Sequence, residues 1–129
     1  MNPVVHFEMP AKDRKRVAAF YEKAFGWKMQ AMGPEMNNYI TAQTTPAGDD
    51  ARPAEPGAIN GGFYEVDATE GNRGPSFVIA VDDVDTALQS ITDAGGTILS
   101  EPVDIPGVGR YAWFSDTEGN RNSILKPSR

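Results

Sequence analysis

The sequence predicts an α+β fold built from two tandem βαβββ units whose mixed sheets curve into a cup. Three observations carry this. An alternating strand runs straight into a capped, amphipathic helix near the start of the chain, and the same pattern returns in the second half. The two occurrences superpose at a constant shift of 70 positions: His6 falls on Ser76, Phe7 on Phe77, Met9 on Ile79 and Asp13 on Asp83. Ala24-Phe25-Gly26 then falls on Ala94-Gly95-Gly96, so cap, helix length and helix stop all coincide without a gap.

The first strand, Val4 to Pro10, alternates. Val5, Phe7 and Met9 take one face, and Val4, His6 and Glu8 the other. His6 and Glu8 therefore sit side by side, roughly 7 Å apart along the strand. The proline is expected to end it. Asp13 is suited to cap the following helix. From Arg14 to Phe25 the apolar residues Val17, Phe20, Tyr21 and Ala24 form one stripe, and Gly26 supplies the stop. Phe20, Tyr21 and Phe25 are accordingly expected in the core. Trp27 to Met32 reads as a second strand, Gly33-Pro34 as a turn, and Asn38 to Thr44 as a third strand.

Residues 45–58 hold three prolines, two glycines and almost nothing to bury. They read as a loop, with a lid and a plain connector both open. Ile59 to Val66 is a fourth strand, expected to be weakened or bulged at Gly61-Gly62. The repeat units are thus about 1–66 and 75–127, joined by a linker at 67–74, in one domain spanning 1–129.

The second unit opens with a strand, Ser76 to Val81. Asp82-Asp83 caps a helix striped by Val84, Ala87, Leu88 and Ile91, and Gly95-Gly96 stops it. Thr97-Ile98-Leu99 begins a strand that Glu101-Pro102 closes or bends, and Pro106-Gly107 turns. Gly109 to Ser115 is a strand, Asp116 to Asn120 a tight turn, and Arg121 to Lys126 the last strand. In each unit the helix covers one apolar sheet face. The other face must meet its twin or line a cavity for a small ligand.

Bulk properties narrow the function. The chain has 129 residues, enough for one domain, and a formal net charge of −6. That balance argues against a nucleic-acid partner, which wants a basic face. There is no cysteine, hence no disulfide, thiolate nucleophile or cysteine metal site. No signal-peptide pattern or membrane-length apolar run is present, so a cytoplasmic protein without a membrane partner is expected.

The stretches Val-Val-His-Phe-Glu-Met-Pro, Ala-Ala-Phe-Tyr-Glu-Lys-Ala-Phe-Gly-Trp, Val-Asp-Asp-Val-Asp, Asp-Ala-Gly-Gly and Asp-Thr-Glu-Gly-Asn-Arg come in a telling order. They resemble the vicinal oxygen chelate superfamily of glyoxalases, bleomycin-resistance proteins and extradiol dioxygenases. Pro106-Gly107-Val108-Gly109 resembles a glyoxalase-like subgroup, many of whose members have no assigned activity. The resemblance implies the paired βαβββ fold and commonly a homodimer. In metal-dependent members it implies a His on the first strand of each unit and an acidic residue on the last. His6 matches the first of these positions. Ser76 stands at the second, about Ser123 at the acidic place of the second unit, and Gly61-Gly62 near that of the first, with Glu65 a few residues on.

The preferred expectation is a small-molecule-binding, glyoxalase-like protein without a complete metal site. Its candidate ligand contacts are His6, Glu8, Tyr39, Phe63, Ser76, Tyr111, Trp113 and Ser123. The alternatives are a lyase, isomerase or dioxygenase using Ni, Zn, Mn or Fe held in part by His6, and an antibiotic-sequestering protein. His6 is either a metal ligand or a histidine that hydrogen-bonds a neighbour or ligand. Strand aromatics are ordinarily core or interface residues, or they line a stacking pocket. No base, orienter and nucleophile set accompanies the two serines, so a hydrolase triad is not supported.

Overall fold

The structure, a computed structural model, describes residues 1–48, 52–67 and 74–128. The tip of the Pro-rich loop and most of the expected linker lie outside the described residues. The fold is α+β, a mixed sheet with two helices. The chain divides into two compact units, His6–Pro75 and Met1–Val5 with Ser76–Arg129.

In the His6–Pro75 unit, β1 (Val4–Ala11) leads to α1 (Arg14–Phe25), then β2 (Lys28–Ala31), β3 (Ile40–Gln43) and β4 (Asn60–Glu65). The strands are ordered β2-β3-β4-β1, antiparallel except for the parallel pair of β1 and β4. Pro10 does not end β1. It pairs with Tyr64, and Ala11 follows it and accepts a hydrogen bond from the amide of Val66 at 3.0 Å. A proline removes one donor, and the strand carries on through its carbonyls.

Asp13 caps α1 by accepting from the Arg16 amide at 2.9 Å, and Gly26 closes it in the left-handed region with φ 72°. Val17 and Tyr21 pack onto a core of Ala11, Ile40, Ala42 and Phe63. Phe20 and Phe25 do not join them, being 57% and 64% exposed. They stack along the edge of Tyr21 at centroid distances of 5.0 and 6.0 Å. The stripe is wider than the strip of sheet it covers, and its flank stays in water.

The expected bulge in β4 is absent. Gly61 and Gly62 sit in regular register with Phe7 and Glu8 on β1 and with Ala42 and Thr41 on β3. The glycines make room instead. A β-carbon on Gly61 would strike the Phe7 ring, and one on Gly62 would strike the Tyr39 ring on the opposite face.

The Ser76–Arg129 unit contains β5 (Ser76–Ala80), α2 (Val84–Asp93), β6 (Thr97–Ile98), β7 (Val103–Ile105), β8 (Gly109–Ser115) and β9 (Arg121–Pro127), ordered β5-β9-β8-β6 with β7 also pairing β8. The Pro3 carbonyl joins this unit, accepting from Ala80 N at 2.9 Å. Asp83 caps α2 through the Thr86 amide at 2.8 Å. The stripe Ala87, Leu88 and Ile91 packs on a core of Val81, Val84, Ala112, Phe114 and Ile124, as its spacing predicts. Strand β7, between Pro102 and Pro106, was not anticipated. Among the described residues no helix is long and apolar enough to cross a membrane.

Candidate functional site

Each unit therefore has one sheet face packed against its helix and one free of it. The helix-free face of the His6–Pro75 unit carries His6 and Glu8, as alternation requires once Phe7 and Met9 face the core. Tyr39 completes the group from just before β3. Asn37 and Asn38 both hold left-handed backbone, φ 53° and 59°, which asparagine tolerates better than most residues. This turn delivers Tyr39 to the sheet. Its amide donates to Met36 O at 3.1 Å and its carbonyl accepts from Met32 N at 2.7 Å. With the backbone pinned, the ring lies across the bare Cα of Gly62.

The Tyr39 hydroxyl lies 2.9 Å from His6 Nε2. It also hydrogen-bonds Glu8, whose carboxyl burial pushes up in pKa while the Tyr39 bond opposes that shift. A hydrogen bond that favours the carboxylate is one the phenol donates. The phenol has one proton. Given to Glu8, it leaves the oxygen to accept from Nε2–H of His6, and leaves Nδ1 as the lone-pair nitrogen. Burial lowers the His6 pKa to about 4, so the imidazole is neutral at pH 7. The row His6–Tyr39–Glu8 is thus a directed chain of three polar groups, half-buried on a sheet face.

The other candidates fall elsewhere. Phe63 belongs to the core and not to the helix-free face. It is 1% exposed and 5.2 Å from the Tyr21 ring. The reason is register: Phe63 pairs with Met9 and Ile40, both core residues. In the Ser76–Arg129 unit, Ile79, Ala112, Phe114 and Ile124 face α2, so Ser76, Tyr111, Trp113 and Ser123 share the helix-free face. Ser123 pairs with Val78 on one side and Trp113 on the other. Ser76 and Ser123 are both buried. Arg121, two residues before Ser123, lies with its guanidinium carbon 4.7 Å from the Trp113 ring centre. Sequence reasoning did not single out Arg121. Its signal was the alternation that put it on Ser123's face.

A catalytic divalent ion wants three or more protein ligands. Among the described residues no three of His, Cys, Asp and Glu come together in that way. Among the described residues His6 and Glu8 are the ligand-type side chains that β1 brings to this face, and both are tied to the Tyr39 hydroxyl. The strand position beside Glu8 is Gly62, which has no side chain to offer. The residues described on this face do not fit a catalytic metal ion.

Each unit runs strand, helix and then further strands, with the short β7 added in the second, and each has one helix-covered sheet face. The chain belongs to the Glyoxalase/Bleomycin resistance protein/Dioxygenase superfamily, whose family model matches residues 4–124. It is 36% identical over 118 residues to a glyoxylase-like domain-containing protein of Didymella fabae, covering 91% of this chain and 88% of that one. Among solved structures it is similar to a variant of Streptomyces coelicolor methylmalonyl-CoA epimerase in complex with 2-nitronate-propionyl-CoA. The TM-score there is 0.69 at 18% identity, covering 98% of this chain and 97% of that one. It is equally similar to hypothetical protein BH1468 of Bacillus halodurans, with TM-score 0.69 at 17% identity over 99% and 96% of the two chains. At these identities the two structures speak for the fold.

Proposed function

We propose that this chain is a small-molecule-binding, glyoxalase-like protein whose His6–Tyr39–Glu8 row contacts the ligand directly, without a divalent ion between them. The single observation that carries the reading is the Tyr39 hydroxyl, held 2.9 Å from His6 Nε2 and bonded to Glu8. A neutral imidazole and a carboxylate joined by one phenol leave His6 Nδ1 to accept a hydrogen bond from a ligand hydroxyl or amide. Glu8 can take up a proton more readily than an ordinary carboxylate, because burial disfavours its charge. The epimerase with its bound acyl-CoA analogue supports small-molecule binding on this fold.

The test is a thermal-shift screen of hydroxy acids, thioesters and aromatic antibiotics. Hits are then measured by calorimetry on the wild-type protein and on Tyr39→Phe and His6→Ala. The reading expects at least one ligand whose affinity drops about tenfold in either variant, the scale of a lost polar contact in a buried site. Ligands that bind both variants as tightly as the wild type would refute it.

A further inference from the structure

The outer face of α1 carries charge and aromatic surface that its own fold does not use. Residues 12–28 hold six of the chain's twelve Lys and Arg against two of its eighteen acidic residues, Asp13 and Glu22, a local charge of +4 in a chain of −6. The first turn, Arg14-Lys15-Arg16, has no acidic residue, whereas that of α2 has Asp85. Cations at a helix N-terminus oppose the macrodipole, so helix stability does not account for them. Arg14 is half-buried and donates to the Met32 carbonyl at 2.9 Å. Lys15, Arg16 and Lys23 are exposed, and among the described residues no ion pair involves either lysine. Phe20 lies among them, four residues after Arg16 and three before Lys23, the spacings of neighbours on a helix surface. Phe20 and Phe25 are 57% and 64% exposed, with ring centres 6.3 Å apart. Both rings are braced, Phe20 against Tyr21 at 5.0 Å and Phe25 against Trp27 at 6.1 Å.

We infer that the outer face of α1 rests on an anionic lipid surface, with Phe20 and Phe25 dipping into it and Lys15, Arg16 and Lys23 against the headgroups. Charge complementarity selects an anionic partner, since each lysine or arginine near such a surface adds a favourable increment and the acidic remainder of the chain is screened beyond about 8 Å. Shape selects a bilayer over an acidic peptide. A docked peptide wants a groove, whereas the outer face of a single helix is convex and its two rings stand into solvent. A bilayer yields to inserted rings and presents many headgroups at once. The braced rings need little ordering on contact. The sequence-based expectation of no membrane partner rests on the lack of a spanning segment, which a helix lying on the surface does not need. None of these residues belongs to the His6 row, so this inference and the proposed function fail separately.

Co-sedimentation with vesicles tests it, using phosphatidylcholine alone and an equimolar mixture of phosphatidylcholine and phosphatidylglycerol. The wild-type protein is expected to sediment with the anionic vesicles only, and to be released by high salt. Lys15→Gln with Lys23→Gln should weaken binding about tenfold or more, the scale of two lost cations at a charged surface. Phe20→Ser with Phe25→Ser should weaken it about tenfold or more with the charge unchanged. Lys126→Gln, which removes a cation from β9, should leave it as in the wild type. Circular dichroism and urea midpoints of the variants should match the wild type closely, because every substituted side chain is exposed. No sedimentation with anionic vesicles, equal binding by wild type and either double variant, or equal binding to both vesicle types would each overturn the inference. So would binding of a soluble peptide rich in Glu and Leu, measured by fluorescence anisotropy, in a protein that ignores the vesicles.

Discussion

The phenol of Tyr39 lies in the space that a β-carbon on Gly62 would fill. Glycine at 62 is therefore a condition for the hydrogen bonds Tyr39 makes to His6 and Glu8. Gly61 plays the same part on the other face of β4, where the Phe7 ring lies against it.

The two glycines give opposed predictions. Gly62→Ala and Gly61→Ala should each cost about 1–3 kcal/mol of stability, the usual scale of overpacking. Only Gly62→Ala should disturb His6, because only it pushes Tyr39 away. The chain has one histidine, so a single imidazole NMR signal reports the difference. Its titration should move back toward the ordinary value in Gly62→Ala and stay low in Gly61→Ala.

His6 makes stability depend on pH with a defined sign. Its pKa falls from the ordinary 6.5 to about 4 on folding. The unfolded chain thus takes up a proton between those values and the folded chain does not, so stability is lost as pH falls from 6.5 toward 4. The effect is on the order of 2 kcal/mol after allowing for a side chain only half removed from water. Glu8 acts in the reverse direction, since its raised pKa favours the folded state at low pH. Urea denaturation of the wild type and of His6→Gln at pH 7 and pH 4.5 isolates the histidine. The stability of wild type relative to His6→Gln should shrink at the lower pH.

Tyr39→Phe keeps the ring over Gly62 and removes the hydroxyl. Both His6 Nε2–H and the Glu8 carboxylate lose their shared partner, so about 1–3 kcal/mol of stability should go. The Glu8 pKa should rise further, since the bond that opposed its burial shift is gone. Carboxyl-carbon NMR titration of wild type and Tyr39→Phe reads this directly.

The fate of α1 yields a further contrast. Phe20→Ser should change stability by less than about 0.5 kcal/mol beyond the loss of its edge contacts, because the ring is 57% exposed. Val84→Ala, at a position 2% exposed in the other unit, should cost about 1–3 kcal/mol. Thermal or urea unfolding of the two variants decides it.

Both helices, their aspartate caps and strand β8 were legible because cap chemistry and periodicity are local signals. Strand β7 was not, since three residues between two prolines have no period to read. His6 and Glu8 were correctly placed on one face because alternation is a property of the strand itself. Phe63 went astray because β4 carries aromatic residues at 63 and 64 on opposite faces, and only pairing with Met9 and Ile40 says which one is core. The use of the glycine pair depends on side chains arriving from β1 and from the turn before β3, contacts that no local pattern encodes.

The central claim is that the Tyr39 hydroxyl, and not a metal ion, joins His6 to Glu8. Its most direct test is the metal content of the purified protein by plasma mass spectrometry, after equilibration with Ni²⁺, Zn²⁺, Mn²⁺ and Fe²⁺ in turn, for wild type and His6→Ala. The account predicts well below one equivalent of each metal and no difference between the two proteins. One equivalent of any of these ions per chain in the wild type, lost in His6→Ala, would contradict it.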